Sequence, residues 1–517
     1  LGGAQARKPV HDGCENGKRR DAYSSPWVHS FIVAPMLDLE ATAVVANLRS
    51  EILLFQWLGA LVSMVTVDRS RIKALLEREF FEFERENPTS RRIHQQATHL
   101  VGGVPMTWMS KWSGGFPLAF REAHGNRIID VDGRSRIDFA LGDTGAMAGH
   151  SPRATVEAVN RRIGELGGIT TMLPTEDAEW VAEELTNRFG LGHWSFTLSA
   201  TDANRWALRL ARLVTGRPKI LVFSYCYHGS VDETFVVLDE DGKAVSRPGN
   251  VAPAVNPTQT TRVVEFNDLE SLERELSYGD VACVLAEPAL TNIGIVLPEP
   301  GFHEALRALT RRYGSLLMID ETHSFSAGWG GATSAWSLEP DILTIGKSIG
   351  GGVPCGAYGL SDAVGSQLTD ALKEGADIID VGGVGGTLAG SALSMSAMRA
   401  TLGDVLTPEA FAHMIDLATL FSDGVNETLT KSGLPWSVSQ LGARAEYRFA
   451  SPAPKTGGAS AHAADEDLDT LVHLYMANRG VLITPFHNMA LMCPDTSRRD
   501  VERHSELFAS LCTEIVG

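Results

Sequence analysis

An α/β fold with a mainly parallel central sheet is what the sequence predicts, and three observations predict it. After about residue 150, short apolar runs alternate with helical patterns. Four of those runs, 219–224 (KILVFS), 281–287 (VACVLAE), 315–320 (SLLMID) and 342–346 (ILTIG), are apolar nearly throughout, as strands buried on both faces are. Each run leads into polar or reactive residues: Tyr227 and His228 just past the first, then Glu287, Asp320 and Lys347. In open α/β sheets ligands bind beyond the carboxyl ends of the strands, so these residues are expected along one edge.

The elements follow in order. Residues 1–66 read as an extension without an assigned role, in which Ile52–Val67 is apolar apart from Gln56, Ser63 and Thr66. That run is shorter than the roughly 20 residues a membrane span needs, so no membrane anchor is expected. Segment 71–86 carries apolar residues at helical spacing, and 125–139 reads as a hairpin turning at Asp132-Gly133. Residues 67–145 are expected to form the N-terminal part of a small domain, 146–390 a large domain, and 391–517 the C-terminal part of the small α+β domain. Short strands are expected at 445–450 and 481–485, and 452–467 (PAPKTGGASAHAADED) is the most linker-like internal stretch.

Composition bounds the function. The chain has 517 residues, 44% of them hydrophobic, enough for an ample core. A net charge of −18 argues against general nucleic-acid binding while leaving room for a small local anion site. The 6 cysteines (Cys14, Cys226, Cys283, Cys355, Cys493, Cys512) form no CxxC pair, which points to a reducing cytosol and to no zinc ribbon; no metal is expected.

The chemistry gathers at a few places. The helix 200–216 (ATDANRWALRLARLVTG) would bury Ala203, Trp206, Ala207, Leu210 and Val214, and its start at Ser199-Ala200-Thr201 offers hydroxyls and free amides to an anion. Lys347 follows a strand and precedes a glycine turn (IGKSIGGGVP), but Asp341 stands where a phosphate loop needs glycine. A lysine in such a setting can instead form a Schiff base. Asp320 ends an apolar strand, where a carboxylate is costly without a cation; a pyridinium nitrogen is one such cation, a salt bridge another.

Taken in order, FTLSATDANRWAL, CYHGS, LAEPAL, MIDETH, TIGKSIGGGVP and GGTLAGS resemble the blocks of the class III, fold-type-I aminotransferases that use pyridoxal phosphate, over roughly residues 95–515. Glutamate-1-semialdehyde aminomutases and the β-amino-acid and ω-amine transaminases are the nearest in pattern. The resemblance implies that Lys347 carries the cofactor covalently and moves the proton, and that Asp320 keeps the pyridine nitrogen protonated. It implies that Tyr227 stacks on the ring with His228 beside it, that Ser199, Ala200 and Thr201 hold the phosphate, and that Glu287 lies near the ring. Thr387 matches the threonine that reaches the phosphate of the other subunit, which implies a homodimer. Ala200 departs from the family's glycine and would be strained if the turn needs a positive φ. Thr322 and His323 depart as well and make the cofactor face more polar.

Relatives that take β-amino acids hold the substrate carboxylate with arginines at places that Met106 and Phe486 occupy here. A buried carboxylate without a partner is costly, which disfavours that substrate. Trp108 and Trp112 could line a pocket for an amine with an apolar body, and Arg444 is the candidate to hold the carboxylate of a keto-acid acceptor. The expected activity is a ping-pong transamination, with an aminomutase as the enzymatic alternative and a non-catalytic cofactor-binding protein as the non-enzymatic one.

Overall fold

The computed structural model describes residues 67–373 and 382–517; the segment 1–66, including nearly all of the apolar run at 52–67, lies outside the described residues. Among the described residues no helix is long and apolar enough to cross a membrane.

A seven-stranded sheet forms the centre. Its strands are β1 (His193–Thr197), β2 (Lys219–Phe223), β3 (Thr261–Val264), β4 (Val281–Ala286), β5 (Leu316–Asp320), β6 (Ile342–Gly346) and β7 (Gly356–Leu360), in the spatial order β1-β7-β6-β5-β4-β2-β3. Strands β6, β5, β4, β2 and β3 run parallel, and β7 is antiparallel to both of its neighbours. Every residue of β4 and β6 is buried, which is why these strands show as unbroken apolar runs. The four expected strands appear within a residue or so of their expected limits.

β1, β3 and β7 have weaker signatures, and β7 shows why. A Cβ at Gly359 would lie 2.8 Å from the ring of Trp194, and one at Gly356 would lie 2.6 Å from Thr197 Oγ1. Glycine lets β7 press against β1 and the turn at Ser199, at the cost of strand propensity. That close packing sets the start of the helix Ala200–Thr215 beside Lys347.

The N- and C-terminal segments meet in a second sheet. The hairpin Arg127–Asp130 and Ser135–Asp138 turns at Gly133 (φ +84), pairs with Phe120–His124, and receives Val481–Leu482 as a parallel strand. A third sheet joins Ser437–Leu441, Arg444–Arg448 and Met489–Leu491. The linker-like stretch 452–467 is corrected by the structure. It contains the helix Gly457–His462, capped by Thr456, and a Cβ at Gly457 would sit 2.2 Å from the carbonyl of Ser224. Its small residues serve close packing and not flexibility.

One buried ion pair ties the hairpin to two helices. Arg136 is 1% exposed and donates to Asp130 at 2.7 Å, to the carbonyl of Ala477 at 2.6 Å and to Asn87 at 2.8 Å. Arg136→Met is expected to lower unfolding stability by about 3–5 kcal/mol in urea titrations, because Asp130 is left buried without its cation.

Candidate active site

A cavity of about 480 Å³ opens at the carboxyl ends of β5 and β6, lined among others by Ser199, Thr201, Tyr227, Asp320, Thr322 and Lys347. Lys347 leaves the end of β6 with a left-handed backbone (φ +52), entering the turn Lys347–Gly350. Its Nζ donates to the carbonyl of Asp143 at 3.1 Å and lies 3.0 Å from Asp143 Oδ2 and 2.7 Å from His323 Nε2.

Asp320 ends β5, opposite Thr344 of β6. Its carboxylate accepts hydrogen bonds from Asn204 (2.8 Å), from the amide of Thr322 (3.0 Å) and from the His228 ring (2.9 Å). Thr344 in turn donates to Asn204 at 2.6 Å, which orients the amide. Burial by itself would raise this carboxyl; the contacts from His228, Thr322 and Asn204 outweigh it and hold it down at about 2. Asp320 is therefore an anion in the interior. Asn204 sits on the otherwise apolar buried face of its helix, and this carboxylate is the reason.

The anion end of the cavity is built from the helix Ala200–Thr215. Ser199 caps it, accepting from the amide of Asp202 at 3.2 Å. Ala200 has no positive φ, so the alanine that replaces the family's glycine is unstrained. Gly229 (φ +77) approaches Thr201 so closely that a Cβ there would lie 2.1 Å from Thr201 Oγ1. The hydroxyl of Thr322, which lines the cavity, is buried without a hydrogen-bond partner. A helix N-terminus, a glycine-bounded cradle, an unpartnered hydroxyl, a buried anion and a strand-end lysine around one space fit a phosphorylated pyridine aldehyde.

The other expected residues are placed as follows. Glu287 is buried and accepts from the amide of Tyr227 at 3.2 Å and from Thr291, so it orients the Tyr227 loop; burial raises its carboxyl. Trp108 lines the cavity and meets Tyr227 at 5.3 Å and Phe486 at 5.7 Å between ring centroids. Trp112 is not among the cavity-lining residues and packs against the Phe83–Phe116 cluster. Met106 is 46% exposed, with its sulfur accepting from the Trp108 amide at 3.2 Å. Thr387 is exposed on its loop. Arg444 is buried behind His323, with its guanidinium on Thr144 and 3.3 Å from His323 Nδ1.

Asp143 and Thr144 were not singled out from sequence, and His323 only as a departure. Asp143 and His323 lie 180 residues from each other in the chain, and no spacing rule joins them. Burial and the charge of Lys347 push the His323 imidazole far below its ordinary value, so the ring is neutral.

This fold and this site define a pyridoxal-phosphate enzyme of fold type I. The family described as Aminotransferase class-III matches residues 108–503. Glutamate-1-semialdehyde 2,1-aminomutase 2 of Brevibacillus brevis is 32% identical over 427 residues, covering 81% of this chain and 96% of that protein. The crystal structure of a glutamate-1-semialdehyde aminomutase from Pseudomonas aeruginosa PAO1 is 47% identical, with a TM-score of 0.84 over 87% of this chain and 99% of that one. An ω-transaminase from Sphaerobacter thermophilus is 30% identical, with a TM-score of 0.74 over 84% and 99%. The chain belongs to the class III aminotransferases, which use pyridoxal phosphate.

Proposed function

We propose that the chain is a transaminase that takes the amino group of an amine with an apolar body and passes it to a keto acid. The observation that carries this reading is the aromatic wall of Trp108 and Tyr227, which line the cavity together with Lys347, with Phe486 packed on Trp108 where carboxylate-binding relatives would need arginine. Aromatic rings at this place favour a hydrocarbon substrate body and penalise an unpartnered carboxylate.

The residues divide the work. Ser199, Thr201 and the amides at the helix start would hold the phosphate, and Tyr227, packed on Trp108, would face the ring. Asp320 holds the proton on the ring nitrogen, and Lys347 moves the proton at the substrate carbon. The cofactor, when bound, supplies the electron sink for that carbon. Trp108 excludes water from the same space, and Phe486 packs on it. Thr387, on its exposed loop, is assigned to the partner's phosphate, which makes the proposed working unit a homodimer, and the lack of a CxxC pair in the sequence supports a cytoplasmic location.

A second reading is an aminomutase, which moves an amino group within one molecule; the 47% identity to the Pseudomonas aminomutase favours it. Requirement for a second substrate separates the two. Incubation with single amines in the absence of a keto acid is expected to give one half-turnover per active site and then stop, with ping-pong kinetics once acceptor is added. Sustained conversion of a single amino aldehyde without acceptor would establish the aminomutase instead.

A further inference from the structure

The segment 382–390 (GGVGGTLAG), which carries Thr387, has five glycines among its nine residues and forms neither helix nor strand. Glycine gives up more conformational freedom on being fixed than any other residue, so such a loop keeps one position only where something else ties it. One side of the loop is tied. Trp206, on the buried face of the helix Ala200–Thr215, lies beside Gly386, where a Cβ would stand 3.7 Å from the indole. Val384 and Ala389 pack on the same apolar cluster as Trp206. Thr387 and Leu388 are exposed, Leu388 by 50%.

The polar tie comes from Arg209, on the same helix. Its guanidinium donates to the carbonyl of Gly383. Gly383 has φ +70, and a Cβ there would stand 2.9 Å from Arg209 Nη1, so glycine is what lets backbone and guanidinium close on each other. Arg212, the next arginine along, is engaged elsewhere, on Glu233 at 2.9 Å and on the carbonyl of Pro218 at 3.1 Å. Arg209 stands eight residues past Thr201, which is about 12 Å along the helix axis. It is the loop, and not the phosphate cup at the first turn, that this arginine serves.

We propose that Arg209 is a positioning residue for the second copy's site: it fixes the loop 382–390 where Thr387 reaches the cofactor phosphate held by the other chain. The inference rests on the role given above to Thr387. Arg209 touches neither cofactor nor substrate; it acts through the Gly383 carbonyl, while the contacts of Trp206 with Gly386 set how far the loop stands off the helix. One helix then serves two sites, its own chain's cup with its first turn and the other chain's phosphate through its flank.

The test separates the two chains of the dimer. Differently tagged chains are co-expressed and the mixed dimer is purified through both tags. One chain keeps Lys347 and the other carries Lys347→Ala, so only one site can form an adduct on Lys347. Pyridoxal phosphate is titrated into the cofactor-free dimer, the adduct is fixed with borohydride, and its amount on the Lys347 peptide is read by mass spectrometry. With Arg209→Ala in the Lys347→Ala chain, the concentration for half-formation is expected to rise roughly tenfold. With Arg209→Ala in the chain that keeps Lys347, it is expected to stay at the parent value. Arg209→Met, which keeps an apolar stem, serves the same comparison if the alanine chain does not assemble.

Equal effects from the two placements would overturn the proposal, as would an effect confined to the chain that keeps Lys347. Thr387→Ala in the Lys347→Ala chain tests the assignment underneath. If it leaves the titration unmoved, the role of Thr387 fails and the proposal falls with it. If it raises the half-point while Arg209→Ala in that chain does not, the role of Thr387 stands and the proposal alone is lost.

Discussion

Asp320→Asn is expected to lower turnover by about 10³-fold while leaving the protein folded and able to take up cofactor, since electrostatic groups aimed at developing charge are worth roughly that much. The argument starts from the strand. β5 delivers the carboxylate into the interior, 4% exposed, and three donors converge on it. Those donors make it an anion at any working pH, held down at about 2. Asparagine keeps the shape and loses the charge, so it can no longer hold a proton on a ring nitrogen. It also presents an NH₂ group to donors, which disturbs His228. Turnover and the absorbance of the bound cofactor, read on the same sample, check the result. The sign of the pH effect on folding follows from the same shift. Because the folded value lies below the ordinary carboxylate value, this group's contribution to stability is present above about pH 4 and fades as pH falls to about 2.

Lys347→Ala carries the largest expected effect. Borohydride treatment of the parent protein should leave a cofactor adduct on the peptide that contains Lys347, and the alanine variant should show none. Turnover should fall by about 10⁴-fold or more, because the variant loses both the covalent attachment point and the group that moves the proton. The phosphate end of the cavity does not involve Lys347, so Ser199 and Thr201 should still retain cofactor reversibly. An adduct that moves to another lysine with turnover intact would show the assignment to be wrong.

Much of the sheet was legible because of where it lies. β2, β4, β5 and β6 sit at the middle of the fold and must be apolar on both faces, so they stand out as continuous runs. β7 did not, because its glycines at 356 and 359 answer to contacts with Trp194 and Thr197 that lie more than 150 residues away in the chain. The stretch at 452–467 misled for the same reason: small residues chosen for close approach look like those chosen for flexibility. At the site, Lys347 and Asp320 announced themselves as reactive groups at the ends of apolar strands. Asp143 and His323 sit on loops, where residue type carries no periodic signal, and they come together only because the sheet edges bring those loops over one cavity. Trp112 was read with Trp108 from proximity in sequence, yet a short helical turn separates their directions.

The left-handed backbone at Lys347 has a consequence for how this protein can evolve. A residue with a Cβ pays about 1–2 kcal/mol to sit there, and glycine does not. The cheapest occupant of the position for folding is thus the one that would end the chemistry. Selection for thermal robustness alone would press this site away from lysine, and only selection for turnover keeps it. A laboratory lineage screened on solubility or melting temperature, without an activity gate, should drift towards catalytic silence from the end of β6.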